Sequence, residues 1–377
     1  MSQGVHAIVF ECGVPTSAIN RIMLPTRKAA SLDVIEKLLS LPEYFCRVTL
    51  ASNYADLLAE ASKMGAMAVE IPTEGFHFGT ELNNIVQSYP SQSVLYLGGA
   101  SSPLMSSSEF CAISKLLQES SALVYANNAQ SADIVGFTPA SRLSELEHLP
   151  DNEKALAYDL RVSGMLPLQL MPDSVGIHFT IDTPSDMMVL KLLGNCSPRV
   201  QESLNHLPWN ISTLEQFWAL LNTPNLTPKV WISGRVGGPA MIRLNSTTQM
   251  RLRVVSEERG MSGSGRQHLV HSFVGSFIEA NGIDGFLRYL EATSDVALID
   301  TRPLFAHFKS SPSDNDRFYS DLLQWDRISD PWVRDFTQKA SSAKIPIVLG
   351  GHTLVLGGIW AMTDALSQAR RDRLSQS

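Results

Sequence analysis

Short apolar runs alternate with amphipathic stretches along the first half of the chain. Runs that lack polar alternation are typical of strands buried on both faces of a parallel sheet. The stretches between them carry helical periodicity and stop signals, such as Pro42 after the segment 31–41. This alternation predicts an α/β fold with a doubly wound, mostly parallel sheet. The predicted strands are 5–10, 47–51, 66–71, 93–97, 122–126 and 134–137.

A proline-rich segment separates this series from a second one. Pro208, Pro224 and Pro228 lie within residues 198–228, a composition that indicates a linker. Apolar runs then reappear, so we predict a domain over 1–197, a linker over 198–228 and a second α/β domain over 229–377. The strands predicted in the second domain are 229–232, 252–255, 296–299 and 345–349.

Composition narrows the class of protein. A length of 377 residues suggests roughly two or three domains. A formal net charge of -7 argues against a surface for nucleic acid or anionic membrane, and no apolar run approaches the length of a membrane span. The N-terminus has no signal-peptide pattern, and the 4 cysteines form no Cys-x-x-Cys motif. We therefore expect a cytoplasmic protein with a small-molecule partner, while its oligomeric state stays open.

Three motifs in the first domain carry a family resemblance. They read LGGASSPL over 97–104, NRIMLP over 20–25 and IDTPSDM over 181–187. Together they make residues 5–195 similar to the nucleotidyltransferases related to molybdopterin guanylyltransferase. The resemblance implies a nucleotide-diphospho-sugar-transferase-like fold.

The resemblance also implies a reaction and a set of site residues. The reaction is transfer of a nucleotidyl group from an NTP to a phosphorylated cofactor precursor or sugar, with Mg²⁺ as the cofactor. Arg21 stands where the family has its phosphate-binding lysine, and Asp182 matches the carboxylate of the closing motif. We expect Gly13, Gly98 and Gly99 to approach the nucleotide, because glycine permits close backbone contact.

The chain departs from the family pattern at the metal site. Gly99 occupies the position of the first metal-binding Asp, and a glycine supplies no ligand to Mg²⁺. Glu11 lies in the first loop and is the carboxylate that could compensate, so Glu11 and Asp182 are the predicted metal ligands. Asp182 has the alternative role of capping the helix that follows it. We expect Gly99→Asp to restore Mg²⁺ affinity with little loss of stability.

The predicted strands of the second domain each end in glycine, serine, arginine or acidic residues. In open parallel sheets, ligands bind outside the carboxyl ends of the strands. Arginine there suits a phosphate or carboxylate, so these residues predict a site for an anionic small molecule. The alternative is that the glycines form turns and the charged residues form structural ion pairs. The candidate residues are Arg235, Glu257, Arg259, Arg266, Asp300, Arg302 and His352.

Three functions follow from these patterns. The first is nucleotidyl transfer, which the resemblance favours. The second is binding of a nucleotide or metabolite without catalysis, because the metal site is altered. The third is an enzyme whose chemistry lies in the second domain.

Overall fold

The computed structural model describes residues 2–223, 226–259 and 269–375, which form two compact units. Unit 1 comprises Met1–Pro15 and Leu24–Ile177, and unit 2 comprises Thr16–Met23 and His178–Ser377. The predicted boundary at residue 197 therefore lies about twenty residues after the division that the contacts give.

Unit 1 contains a seven-stranded sheet in the order β3-β2-β1-β4-β6-β5-β7 among the described residues. Only the pairings of β6 with β4 and β5 are antiparallel, so the expected mostly parallel α/β sheet is confirmed. The strands are β1 (Ser2–Phe10), β2 (Phe45–Ser52), β3 (Met67–Glu70), β4 (Ser91–Gly98), β5 (Leu123–Ala126), β6 (Ile134–Thr138) and β7 (Leu168–Leu170).

The sheet of unit 1 is buried on both faces, as its apolar runs predict. Along β1, Val5 and Val9 pack into one core while Ile8 and Phe10 pack into another on the opposite face. Full burial of each such side chain contributes about 1.5–3 kcal/mol. The helices that begin in or near this unit are α1 (Ala18–Leu39), α2 (Ala55–Met64), α3 (Phe78–Ser88), α4 (Ser107–Glu119), α5 (Leu156–Val162) and α6 (Val175–His178).

Helix α1 begins well before the predicted segment 31–41. Its start is capped by Ser17, whose hydroxyl oxygen accepts a hydrogen bond from the backbone N–H of Asn20 at 2.9 Å. Pro25 lies inside the helix although proline removes one helical hydrogen bond. Burial of Met23 and Ala30 on either side of it offsets that cost.

Histidine 6 is a fully buried titratable group within β1. Its Nε2 lies 2.7 Å from the hydroxyl oxygen of Thr49. Burial, and then the charge of Arg47, lowers the pKa of His6 from its usual 6.5 to about 4. As the pH falls, His6 therefore takes up a proton near pH 6.5 in the unfolded chain but only near pH 4 in the folded chain.

We expect unit 1 to lose stability as the pH falls between these two values. A shift of this size corresponds to about 3 kcal/mol, present above pH 6.5 and lost by about pH 4. Urea unfolding at pH 7 and pH 4.5 should show a smaller acid loss for His6→Gln than for the wild type. Equal losses in the two proteins would contradict this prediction.

Unit 2 contains a second, fully parallel sheet of four strands in the described ranges, in the order β11-β10-β8-β9. The expected second α/β arrangement is thereby confirmed. Trp231, Ile299 and Leu349 of this sheet pack with Phe286 and Phe336 in one buried core. The strands are β8 (Lys229–Gly234), β9 (Arg251–Ser256), β10 (Val296–Asp300) and β11 (Ile347–Gly350).

The segment predicted as a linker folds into helices of unit 2. Leu214, Phe217 and Leu221 are buried, and this burial accounts for the ordered structure that the prolines alone did not indicate. The helices of unit 2 are α7 (Pro184–Leu193), α8 (Pro198–Asn205), α9 (Ser212–Asn222), α10 (Gly238–Thr247), α11 (Phe273–Thr293), α12 (Arg302–His307), α13 (Asp314–Asp321), α14 (Pro331–Ser341) and α15 (Gly357–Ser375). Among the helices so described, in either unit, none has the length and apolarity that crossing a membrane requires.

Candidate functional site

Each sheet has a point where the strand order reverses, and several of the candidate residues follow the strands at these points. In unit 1 the chain proceeds outward from β1 through β2 to β3, and β4 then lies on the other side of β1. In unit 2, β9 and β10 flank β8 in the same manner. Ligands bind in the crevice at such switch points, outside the carboxyl ends of the strands. The two crevices belong to different units.

A buried ion pair occupies the switch point of unit 1. Glu11 follows β1, and its side chain is only 1% exposed. Arg27 of α1 donates from Nε to Glu11 Oε1 at 3.2 Å and from Nη2 to Oε2 at 3.3 Å. Ser31 donates to the same Oε2 at 3.3 Å. Both carboxylate oxygens of Glu11 are therefore engaged by α1.

Gly99 leaves no room for a side chain beside this pair. A β-carbon built on Gly99 would lie 2.7 Å from Cα of Glu11, and closer still to Glu11 Oε2 and the carbonyl oxygen of Phe10. The aspartate expected to restore Mg²⁺ affinity therefore has no space, and the prediction that Gly99→Asp costs little stability is wrong. Gly98 is less crowded, since the nearest atom to a β-carbon built there would be Oε2 of Glu153 at 3.2 Å.

The loop after β4 has an unusual backbone. Ala100 and Ser102 adopt positive φ values of 54° and 59°, which are uncommon for residues other than glycine. The buried hydroxyl of Ser102 has no hydrogen-bond partner in the part of the chain that the structure describes. Lys37 Nζ donates to the carbonyl oxygens of Pro103 and Met105 at 3.2 and 2.9 Å, which holds the loop against α1. Strained backbone of this kind is concentrated at functional sites.

The loop after β1 is closed by a side chain of the next crossover. Gly13 has a φ of 133° and open space around its α-carbon. Asn53 accepts from the N–H of Gly13 and donates to its carbonyl oxygen, each at 2.9 Å. Beside it, burial and then the charges of Glu11 and Glu153 raise the pKa of Cys12 to about 11, so its thiol stays protonated at neutral pH. The loop therefore presents Gly13 at its open side.

Arg21, the predicted phosphate ligand, does not lie with these groups in unit 1. It is an exposed residue of the first turns of α1, in the stretch Thr16–Met23 that is grouped with unit 2. Arg27, six residues later, is the arginine that reaches the carboxyl end of β1. The role of Arg27 was not predicted, because the helix that contains it was expected to start only at residue 31.

The closing motif lies at the start of α7 in unit 2. Asp186 Oδ2 accepts from the N–H groups of Asp182 and Thr183 at 2.9 and 2.7 Å, and from the hydroxyl of Thr183 at 2.9 Å. These bonds form a capping box. The capping carboxylate is thus Asp186, whereas Asp182 is partly exposed. Burial, followed by the charge of Asp182, raises the pKa of Asp186 well above its ordinary value.

A second buried ion pair bridges the switch point of unit 2. Arg235 follows β8, and its Nε and Nη2 donate to Asp300 at 2.6 and 3.0 Å. Asp300 ends β10 with a fully buried side chain. Burial opposes its ionisation, but Arg235 holds the pKa of Asp300 below its usual value. Gly234 allows this approach, since a β-carbon there would lie 3.1 Å from Cα of Asp300.

Arg302 forms a third pair with a partner that the sequence did not indicate. Its Nη1 and Nη2 donate to Oδ1 and Oδ2 of Asp321 at 2.6 and 2.7 Å. Nη1 also lies 3.2 Å from the carbonyl oxygen of Gly350. Asp321 is fully buried in this pair. The guanidinium of Arg302 is therefore committed to the structure of unit 2, as the structural alternative proposed.

His352 follows β11 amid the charges of unit 2. Burial and the charge of Arg235 lower the pKa of His352 to about 3, with Arg259 adding to the effect. Asp182 and Asp300 act in the opposite direction but do not overcome it. The imidazole is therefore neutral at physiological pH and can both donate and accept a hydrogen bond.

The remaining predicted residues of unit 2 divide between two places. Glu257 accepts from the hydroxyl of Ser272 at 2.6 Å and so supports the start of α11. Nη1 of Arg259 lies 3.6 Å from the position of a β-carbon on Gly237, at the carboxyl end of β8. Arg266 lies outside the described residues.

The residues of unit 1 do not fit a protein-held Mg²⁺. Mg²⁺ requires oxygen ligands that include one or two carboxylates, whereas Glu11 is engaged by Arg27 and Ser31. Asp182, the other predicted ligand, belongs to unit 2. Across residues 2–223, 226–259 and 269–375, no group of three His, Cys, Asp or Glu side chains is arranged to hold a metal ion.

Comparison with known proteins gives similarity to solved structures alone. No family model matches the chain, and no curated protein matches it. A cytidylyltransferase from Leptospira borgpetersenii is 17% identical, with a TM-score of 0.41 over 54% of this chain and 93% of that one. The CMP:2-keto-3-deoxy-manno-octonic acid synthetase in complex with CTP is 13% identical, with a TM-score of 0.38 over 51% and 98%. A nucleotidyl transferase from Methanothermobacter is 12% identical, with a TM-score of 0.39 over 49% and 94%.

Proposed function

We propose that unit 1 binds a nucleoside triphosphate at the carboxyl ends of β1 and β4, as a nucleotidyltransferase-like module. The observation that carries this proposal is the position of Arg27, which is fixed on the buried Glu11 at the switch point. Its side chain keeps 28% of its surface exposed, so it can face a ligand while it stays paired. A planar guanidinium held in this way suits phosphate oxygens.

The surrounding backbone supports the same position for the nucleotide. Gly13 is open to an approaching phosphate, and the strained loop at Ala100 and Ser102 adjoins Gly98 and Gly99. Glycine permits close backbone approach. The ligand would therefore lie between the first loop and the loop after β4.

The reaction that the resemblance implies is transfer of a nucleotidyl group. An oxygen of a phosphorylated cofactor precursor or sugar would attack the α-phosphorus of the NTP and form a new P–O bond. The bond from the α-phosphorus to the bridging oxygen would break, and pyrophosphate would leave. Incubation with each NTP and a panel of sugar phosphates, followed by measurement of pyrophosphate, tests this reaction.

Binding without transfer is the second candidate. The specific observation in its favour is that Arg27 occupies the carboxylate that would otherwise hold a metal. On this account NTP binding needs no carboxylate-held Mg²⁺. Nucleotide binding together with no pyrophosphate release from any acceptor would support the second candidate over the first.

Arg27→Lys is expected to weaken NTP binding by roughly tenfold or more, equivalent to about 1.4 kcal/mol. Lysine keeps the charge but loses the two-point contact with Glu11, so the cation is no longer fixed. Isothermal titration with ATP, GTP, CTP and UTP, in Mg²⁺ and in EDTA, measures the effect.

The matched control for this experiment is Arg47→Lys. Arg47 belongs to the same unit but lies near the amino end of β2, where it contacts the carbonyl oxygen of Tyr89. We expect wild-type affinity from this control and similar wild-type affinities in Mg²⁺ and EDTA. An unchanged affinity in Arg27→Lys, or binding that requires Mg²⁺, would count against the proposed site.

A further inference from the structure

The carboxyl ends of three strands in unit 2 bring together groups that the proposed nucleotide site does not use. Arg235 follows β8, Arg259 follows β9 and His352 follows β11. Asp182, which precedes α7, contributes to the electrostatic environment of the same imidazole. Three parallel strands thus deliver two guanidinium groups and an imidazole to one edge of the sheet.

Arg235 is held as a preorganised cation at this edge. Besides its two side-chain bonds to Asp300, its backbone N–H donates to Asp300 Oδ2 at 3.1 Å. Its side chain is 27% exposed, while that of Asp300 is fully buried behind it. A guanidinium with a fixed orientation loses little entropy when it binds an anion.

Arg259 approaches the same turn from the neighbouring strand. Nη1 of Arg259 lies 3.6 Å from the position that a β-carbon on Gly237 would take. The turn containing Gly237 directly follows Arg235 and Val236, so both arginines border one stretch of backbone. Val236 is buried beneath it.

Buried oxygen atoms without partners mark the same strand ends. The hydroxyl of Ser233, in β8, and the hydroxyl of Thr353, next to His352, have no hydrogen-bond partner among the described residues. The Oδ1 atom of Asp186, at the start of α7, is in the same condition. Each residue is at most 1% exposed. Unpaired buried polar atoms are rare in folded proteins and often indicate a bound water, ion or ligand.

The segments that carry these atoms are in contact. A β-carbon on Gly351, next to His352, would lie 2.9 Å from Cγ2 of Thr183 at the cap of α7. The N–H of Thr301, which follows β10, donates to the carbonyl oxygen of Gly350 at 3.1 Å. The end of β11 therefore lies between the start of α7 and the end of β10, which places His352 within the group.

We propose that the carboxyl ends of β8, β9 and β11 bind an oxyanion, the phosphate or carboxylate group of a small molecule, between Arg235 and Arg259. His352 supplies a hydrogen bond to the ligand, and Asp182 accepts one from a hydroxyl or amino group next to the anion. Arg302 takes no direct part, because Asp321 engages it. This site belongs to unit 2, whereas the proposed nucleotide site belongs to unit 1.

The charges of unit 2 are compatible with an anion at this position. Asp300 and Asp321 are each neutralised by a paired arginine. Burial and then the charge of Asp182 raise the pKa of Asp186, which disfavours its charged form, and burial followed by the charges of Arg235 and Arg259 lowers the pKa of His352. Asp182 and Asp300 both act on His352 in the direction opposite to the two arginines.

Calorimetric titration of the full chain with inorganic phosphate and with malonate, at constant ionic strength, tests the proposal. Inorganic phosphate and malonate represent the two sources of the oxyanion, and the tighter of the two identifies the class. Arg259→Ala should weaken the binding of that probe by roughly a hundredfold. Arg253→Ala is the matched control, because Arg253 lies on β9, the strand that precedes Arg259, but is exposed and contacts the carbonyl oxygen of Thr293.

Arg27→Lys separates this site from the one in unit 1. We expect the Arg27→Lys and Arg253→Ala variants to bind the probe with wild-type affinity. The Arg259→Ala variant should lose this binding. Circular dichroism of Arg259→Ala confirms that the variant is folded. Equal binding by Arg259→Ala, loss of binding in Arg27→Lys alone, or no binding of either probe to the wild type would overturn the proposal.

Discussion

Gly99→Ala is expected to destabilise unit 1 by about 3 kcal/mol or more, the upper part of the range for overpacked sites. The added methyl group would meet backbone atoms of Phe10 and Glu11, which cannot move without shifting the end of β1. It would also displace the Glu11 carboxylate from Arg27. Urea unfolding monitored by circular dichroism and by tyrosine fluorescence measures the change.

Gly98→Ala is the matched control for this substitution. The methyl group at residue 98 would meet a carboxylate oxygen of Glu153, the far end of a side chain that can rotate. We expect a loss of no more than about 1 kcal/mol, the cost of disturbing the hydrogen bond from Tyr96 to Glu153. Gly99→Ala with the stability of Gly98→Ala would contradict the described packing at the end of β4.

Arg302→Ala is expected to destabilise unit 2 by about 3–5 kcal/mol, because it leaves the fully buried carboxylate of Asp321 without its partner. Burial already raises the pKa of Asp321, and Arg302 is the main influence that opposes this rise. The variant should therefore bind a proton at Asp321 and unfold at lower urea concentrations. Thermal and urea unfolding of the full chain detect the loss.

Two comparisons make the Arg302 experiment specific. The double variant Arg302→Met, Asp321→Leu removes both charges and should recover much of the loss, because apolar residues can replace a buried pair. Lys229→Ala removes a half-exposed cation 3.7 Å from Asp295 in the same unit and should cost under about 1 kcal/mol. A small effect of Arg302→Ala, similar to that of Lys229→Ala, would show that the pair is not structural.

The sequence predicted six of the seven strands described for the first sheet and the four described for the second, because each is a mostly apolar run between polar segments. The short edge strand β7, with two exposed residues among its three, was not predicted. The predicted strand 296–299, for example, is β10 in the structure, where it extends one residue further, to Asp300. Ser106 and Glu109, three residues apart in the sequence, form a capping box at the start of α4. These signals are local, so a single chain is enough to find them.

The pairs at the two switch points depend on the tertiary fold. Glu11 pairs with Arg27 because α1 begins before Pro25, whereas the predicted helix began only at residue 31. A proline usually ends a helix, so Pro25 gave no indication of this earlier start. Arg302 meets Asp321 only after α12 and α13 have packed. The direction of β6 and the position of residues 198–228 also depend on long-range packing, which periodicity does not encode.

Hydrogen–deuterium exchange of the full chain, with and without a saturating concentration of the NTP that binds most tightly, tests the proposed nucleotide site most directly. We expect protection of the backbone amides in residues 11–15 and 98–105, in EDTA as well as in Mg²⁺, with no change at 233–238 or 350–353. Protection confined to the two segments of unit 2, or protection that appears only with Mg²⁺, would contradict it.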